Sequence, residues 1–327
     1  MDELLFRPEP FAGFMADRGG HCGCAACGGA EPELELEDGT GESAWSRWGT
    51  DYVTWLQTAL NKVRPKLKLA VTGKPDHRTV SALGSVQHDM GKHARMGMVG
   101  SGTSRRLIKL GASPPPKRPI PPKVGIDVNF DTRKHLACFQ KASFAGVPIS
   151  FAVRYYSYTP SKNLSRREAD ALAKAGIRCA VVWESRAASA TGYKQGQRHA
   201  ASALKQAVTC GQPAGTPIYF AIDFPPSASQ RAGIERYFEG VRDTLNAATT
   251  RRYTAGVYGN RDALDWCKAQ GITTHFWQGC SKLTAHGTNQ FRWPGVNMHQ
   301  VLCERSICNV HVDWNESDGR EGSWFPA

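Results

Sequence analysis

Beyond residue 123, four apolar runs each close on an acid: Val124-Gly-Ile-Asp127, Ala180-Val-Val-Trp-Glu184, Ile218-Tyr-Phe-Ala-Ile-Asp223 and Val310-His-Val-Asp313. Asp and Glu are poor strand formers, and a carboxylate closing a buried strand is costly unless it is paired, hydrogen-bonded or solvated. One such ending is ordinary, whereas four point to a shared acidic site at one end of a sheet. Gathered carboxylates equip a protein for glycoside hydrolysis, in which one protonates the leaving oxygen while another stabilises or attacks the sugar cation, or activates water. Crowding raises the pKa of one member and so provides the acid. On this reading Glu184 is the general acid, and Asp223 or Asp127 stabilises charge or positions water. The competing use of any single one of these acids is a helix N-cap or a rim ion pair.

Aromatic and amide side chains fall at the ends of the same kind of segment: Tyr155, Tyr156 and Tyr158, then Tyr258, Trp277 with Gln278, and His299 with Gln300. Flat apolar faces beside hydrogen-bonding groups suit sugar rings. The substrate-binding candidates are Tyr156, Tyr258, Trp277, Gln300 and Asp313. Each ring has the alternative of simply packing inside the fold. These residues call for no metal and no cofactor.

The segments that must position them alternate in type. Strand patterns cover 124–129, 149–156, 178–184, 217–224, 254–259, 274–278, 298–302 and 309–314, and helical patterns cover 131–145, 165–176, 193–210, 228–247 and 261–270. Strands separated by helices imply parallel pairing through right-handed crossovers, and eight of them imply an α/β fold closed as a (β/α)8 TIM barrel. In such a barrel the C-terminal strand ends converge on one face, which gathers the four acids. The last two units leave little room for helices, so a degenerate barrel is expected. A doubly wound open sheet is the alternative, but Asp127-Val-Asn-Phe after the first strand lacks the glycines of a dinucleotide-binding turn.

Four regions divide the chain. Residues 1–42 carry ten acids against Arg7 and Arg18 and read as an acidic, disordered leader. Within it Cys22, Cys24 and Cys27 stand next to His21, a spacing that can hold zinc, although a structural zinc site needs a folded frame. Residues 43–112 form a small all-α domain: Tyr52, Val53, Leu56, Ala59, Leu60 and Val63 recur at helical spacing, and Asp76 is placed to cap a second helix. Residues 113–123, Ser-Pro-Pro-Pro-Lys-Arg-Pro-Ile-Pro-Pro-Lys, are a semi-rigid linker. Residues 124–327 are the barrel. Among the ten cysteines, Cys303 and Cys308 bracket a short loop and are candidates for a bridge, and Cys179 inside a strand reads as core.

Two family resemblances attach to these regions. Trp55-Leu-Gln-Thr-Ala-Leu-Asn61, Val71-Thr-Gly-Lys-Pro-Asp-His-Arg-Thr79 and Val86-Gln87 resemble the peptidoglycan-binding-like three-helix domain, departing from its pattern at Thr72, Asp76 and Val86. The stretch 124–324 resembles the glycoside-hydrolase-like domain family of actinobacterial secreted proteins, itself similar to the family-25 lysozymes. That likeness is carried by Gly125-Ile-Asp127, Arg154-Tyr-Tyr156, Leu164-Ser-Arg-Arg-Glu-Ala169, Trp183-Glu184, Tyr193, Gln195-Gly196, Ile218 to Asp223, Gly256-Val-Tyr-Gly-Asn260 and Val312-Asp-Trp-Asn315. It implies a TIM barrel with a sugar-facing cleft and places Asp127, Glu184 and Asp223 at the acidic site. The related lysozymes carry a second acid two residues after the fourth-strand Asp, where this chain has Pro225. Either Glu184 takes that acid's part or the domain binds glycan without cutting it.

The net charge of +12 is unevenly spread, because the leader is negative and the remainder carries +20. A basic body suits anionic partners such as nucleic acid, anionic lipid or acidic wall polymers. No nucleic-acid motif accompanies the charge, and no apolar run approaches the ~20 residues that span a bilayer. The expectation is a bacterial cell-wall glycoside hydrolase of lysozyme type that cuts a β-1,4 bond, with peptidoglycan as partner and no specific nucleic acid or membrane partner. The rival is a non-catalytic glycan-binding protein on the same barrel, serving as an exported effector. Either is expected outside the cell or at the wall or periplasm of a target cell, reached without a recognisable signal peptide.

Overall fold

The computed structural model describes residues 49–74, 76–89, 101–116, 121–144, 146–185, 189–222, 224, 226–248, 252–280, 292–293 and 295–327. The leader with its Cys22, Cys24 and Cys27 cluster, together with Asp223 and Pro225, lies outside the described residues. The chain forms two compact units.

The smaller unit contains α1 (Gly49–Val63), α2 (His77–Asp89) and α3 (Ser101–Lys109). Tyr52, Leu56 and Leu60 of α1 are buried, as are Val80, Leu83 and Val86 of α2 and Leu107 of α3, the apolar stripe that helical spacing predicts. Its polar residues are tied down too. Gln57 is fully buried, donates to the Lys74 carbonyl at 3.0 Å and accepts from the Thr72 and Gly73 amides, so one side chain fixes the whole turn. Asp76 caps α2 by accepting from the Thr79 amide at 2.7 Å, as expected.

The larger unit is an eight-stranded barrel. Its strands are β1 (Lys123–Asp127), β3 (Val147–Tyr156), β4 (Arg178–Trp183), β5 (Pro217–Ile222), β6 (Thr254–Gly259), β7 (His275–Gln278), β8 (Met298–Ile307) and β9 (Val310–Ser317). The pairing runs β1-β9-β8-β7-β6-β5-β4-β3, and β1 pairs with β3 to close the ring, which excludes the open sheet. A two-residue β2 (Ser143–Phe144) hairpins onto β3. Helices α5 (Arg166–Lys174), α6 (Tyr193–Cys210), α7 (Ala228–Ala247) and α8 (Arg261–Ala269) lie where the periodicity places them.

Two expectations about the secondary-structure elements need correction. The helix anticipated over 131–145 is instead a 3-10 turn at Thr132–Lys134, a four-residue α4 (Leu136–Phe139) and then β2. Asp131 caps the 3-10 turn by accepting from the Arg133 amide, and Gly146 turns the chain back at positive φ. The last strand is also not parallel: β9 pairs antiparallel with both β8 and β1. Cys308 and Asn309, both at positive φ, make the two-residue turn of a β8–β9 hairpin, so no crossover helix is needed.

Strand parity sorts the side chains. Phe151, Val153, Ala180, Val182, Tyr219, Trp277 and Met298 fill the interior, with Tyr155, Ala221 and Tyr258 packed against them. Gly125 shares this parity because Phe151 occupies its space: a Cβ there would lie 2.3 Å from the ring. Gly196 plays a similar part outside the barrel, where a Cβ would lie 1.9 Å from the Tyr237 carbonyl, so α6 and α7 can pack closely.

Two disulfides brace the β8–β9 hairpin, but with partners other than those expected. Cys308 at the turn bonds Cys138 of α4, and Cys303 bonds Cys280 after β7. A Cys303–Cys308 bridge is excluded, since each sulfur is bonded to a different partner. Cys179 is buried core.

Candidate active site

The site is built at the C-terminal ends of the parallel strands, where β9 arrives from the opposite direction. Asp127, the last residue of β1, is the register partner of Asp313 on β9. Directly opposed residues on antiparallel strands hold their Cβ atoms about 4.5–5.5 Å apart, and like charges there repel. Asp313 therefore reaches the site from within an antiparallel strand, not from the end of a parallel one.

Bulges in β8 aim the groups that hold this pair. Leu302 pairs with Trp314 and Arg305 with Val312, so Cys303 and Glu304 together oppose the single residue Asp313. Glu304 takes a left-handed conformation (φ 53°), and its amide donates to Asp313 Oδ1 at 2.7 Å. Closer to the barrel, Gln300 Nε2 donates to Asp127 Oδ2 and, at 3.3 Å, to Asp313 Oδ2. Its other end accepts from the Tyr258 hydroxyl at 2.9 Å and the Cys280 amide at 3.0 Å. These two donors fix the amide's orientation, leaving Nε2 to face the carboxylates. Gln300 thus clamps the acid pair.

The electrostatics follow from this enclosure. Asp127 is only 3% exposed. Burial pushes its carboxyl well above the usual carboxylate range, and the charge of Asp313 adds to the shift. Gln300 and, more weakly, the nearby Tyr155 hydroxyl pull it back, while Glu184 adds a small upward push. Asp127 Oδ1 is buried with no hydrogen-bond partner among the described residues. Asp313 is also raised, first by burial, with the Glu304 amide opposing. Two crowded, desolvated carboxyls favour holding one proton between them.

Glu184 follows β4, two strands round the ring from β1. Its amide donates to the Tyr156 carbonyl at 3.1 Å, extending the β3–β4 ladder and keeping the inward parity of Ala180 and Val182. Its carboxylate is half-buried and forms a 3.4 Å ion pair with Lys162. Tyr155 lies on β3, between β1 and β4. Its hydroxyl pKa is raised by burial and then by Asp127, Glu184, Tyr258 and Asp313, in that order, so all four act on one ring.

Of the residues expected from the sequence, Asp127, Asp313, Gln300 and Tyr258 come together, and Glu184 shares their surroundings through Tyr155. Trp277 faces inward but is covered: Tyr258 lies over it at 4.4 Å between ring centroids, and Nε1 donates to Asn315 at 2.8 Å. It supports Tyr258 from beneath. Tyr156 is displaced from the substrate-binding set. Its ring points outward, fully buried, and its hydroxyl donates to Gln212 at 3.1 Å. Adjacent strand residues face opposite sides, so Tyr155 takes the position assigned to Tyr156. The parity of Phe151 and Val153 could have decided between them. No sequence signal singled out Lys162.

A buried ion pair holds the exit of β1. Arg154 and Glu168 are both at most 1% exposed and meet at 2.7 Å. Arg154 Nη1 also donates to the carbonyl of Val128, the residue after Asp127, at 2.7 Å. Glu168 accepts from the Thr132 amide and hydroxyl. Two motifs that carried the family resemblance thus secure the segment following the Asp127 carboxylate. Cys280, Cys303 and Asp313 also lie together, but both sulfurs are committed to the disulfide, which leaves one carboxylate for any cation.

The family model described as "Rv2525c-like, glycoside hydrolase-like domain" matches residues 142–317. Rv2525c of Mycobacterium tuberculosis, named for a proposed peptidoglycan hydrolase activity, is 30% identical over 130 residues, covering 38% of this chain and 49% of that protein. FadG of Bacillus subtilis is 26% identical over 127 residues, covering 36% of this chain and 22% of its own length. The chain thus spans about half the length of the first of these relatives and less of the second. The crystal structure of the Tat-secreted Rv2525c with L-tartrate superposes with a TM-score of 0.50 at 24% identity, covering 62% of this chain and 98% of that one. That likeness supports the barrel fold.

Proposed function

Because this chain belongs to the Rv2525c-like, glycoside hydrolase-like domain family, we propose that its barrel is a lysozyme-like hydrolase that cleaves a β-1,4 bond of peptidoglycan. The observation that carries this reading is the unequal set of acids around Tyr155. Asp127 and Asp313 are crowded and raised, while Glu184 is more open and ion-paired. Glycoside hydrolysis needs such inequality, with one carboxyl carrying a proton and another carrying charge. In this scheme the ion pair of Glu184 with Lys162 opens, Glu184 takes up a proton from solvent, and it passes that proton to the leaving oxygen. The Asp127–Asp313 pair, which keeps one negative charge while sharing one proton, faces the developing sugar cation or positions water, with Gln300 behind it. Asp223 is a further candidate for that task on the sequence alone.

The helical unit is assigned to wall anchoring, with residues 113–123 setting its reach. Export is supported by two disulfides, which persist in oxidising compartments, and by the relative described as Tat-secreted. Pro225, at the position of a lysozyme acid, favours a second reading in which the barrel binds glycan without turnover. Purified peptidoglycan separates the two. Wild type should release reducing ends and Glu184→Gln should lose about 10²–10⁴-fold in rate while still pelleting with walls. Pelleting without release by wild type selects the binding protein.

A further inference from the structure

Among the described residues, the mouth of the barrel gathers Asp127, Asp313 and Glu184, yet one cation, Lys162, stands beside them. Lys162 ends a 3-10 turn, Pro160–Lys162, that is pinned from several directions. The Lys162 amide donates to Thr159 and the Asn163 amide to Pro160, each at 3.1 Å. The Asn163 side chain accepts from the Ser157 hydroxyl at 2.7 Å, and the Leu164 amide donates to the Tyr155 carbonyl at 2.9 Å. The ammonium therefore starts from a fixed backbone. It stands 5.7 Å from the centre of the Tyr155 ring, against the wall of the site, and 3.4 Å from Glu184 Oε1. Its side chain remains 38% exposed, so part of its donor capacity faces solvent.

A neutral glycan can only accept a hydrogen bond from an ammonium in that position, without a charge to pair with it. A glycan that carries a carboxylate gains an ion pair there, where the acids around the site would otherwise repel it. Resting on the glycan reading above, we propose that Lys162 selects sugars bearing a carboxylate, such as the lactyl group of muramic acid, over neutral ones. The incoming carboxylate takes the place of Glu184 as partner of the ammonium.

The test uses the full chain and three peptide-free probes: a strand alternating N-acetylglucosamine with N-acetylmuramic acid, the same strand with its carboxyls reduced to alcohols, and chitohexaose. Calorimetry reads affinity and reducing-end release reads hydrolysis. Wild type should bind the acidic strand at least about tenfold more tightly than its reduced form, the scale of one charge-assisted contact. Lys162→Met should erase most of that ratio, and Lys162→Arg should keep it. Equal affinities in wild type, or an unchanged ratio in a folded Lys162→Met protein, overturn the assignment. Absence of hydrolysis with the charge preference intact would instead remove the hydrolase reading and leave Lys162 as a binding determinant.

Discussion

Replacing Gln300 by Leu tests the acid pair through stability. Gln300 makes four hydrogen bonds: Nε2 to Asp127 and Asp313, and Oε1 from Tyr258 and the Cys280 amide. Leucine fills a similar volume and makes none of them. Losing a bond to a buried charged group costs about 1.5–3 kcal/mol, and stranding an enclosed backbone N–H costs about 1–3 kcal/mol. Asp313 and Tyr258 are less enclosed and can turn to water. The net loss is roughly 3–5 kcal/mol, which for a domain of about 200 residues lowers the melting temperature by roughly 6–20 °C. The loss should depend on pH with a definite sign. Gln300 favours the ionised form of Asp127, so removing it raises an already raised pKa further. Below the unfolded carboxylate range of ~3.9 the carboxyl is protonated in both states, and only the neutral hydrogen bonds are missed. As pH rises the variant is penalised more, so the gap between it and wild type widens from pH 4 to pH 8. Thermal unfolding across that range is the assay. A gap that is constant or narrows with pH would refute the clamp on an ionisable carboxyl.

Asp127→Asn should be more stable than wild type at pH 7–8. The native pKa is raised, so the stability linked to this group is fully present below the unfolded value and is lost as pH rises through the folded one. That advantage should vanish toward pH 3 in the same melts, while hydrolysis is lost. Arg154→Met should cost about 3–5 kcal/mol, because it leaves Glu168 buried and uncompensated; the double variant Arg154→Met/Glu168→Leu should recover much of this in denaturant titrations. Cys308→Ser opens a link spanning 170 residues and should lower oxidised stability by about 2–5 kcal/mol, a difference that disappears when wild type is reduced before melting.

The parts of the barrel legible in the sequence are those set by local periodicity. Helices α6 and α7 stand where the apolar spacing puts them, and the parallel strands lie within a few residues of the runs that end in acids. Pairing direction is a longer-range matter. The run before Asp313 looks like any other strand, and the feature that turns it antiparallel is a two-residue turn at Cys308 and Asn309, which carries no glycine. The bulge at Cys303 and Glu304 is equally silent, although it delivers the amide that holds Asp313. At the site, residue types were easier to foresee than side-chain direction. Tyr155 and Tyr156 are chemically identical neighbours, and only the register of β3 sends one to the acids and the other to Gln212. Likewise, nothing local pairs Cys138 with Cys308, since the fold alone brings them to a Cα separation of 5.9 Å.

The most direct test of the central claim is a crystal structure of Glu184→Gln with a peptidoglycan glycan fragment bound. The account predicts a sugar ring against Tyr258 and Tyr155, with a glycosidic oxygen within about 3.2 Å of the side chain at position 184 and the Asp127 carboxyl facing the same ring. A fragment bound elsewhere on the barrel, or across the mouth with no glycosidic oxygen near position 184, would contradict it.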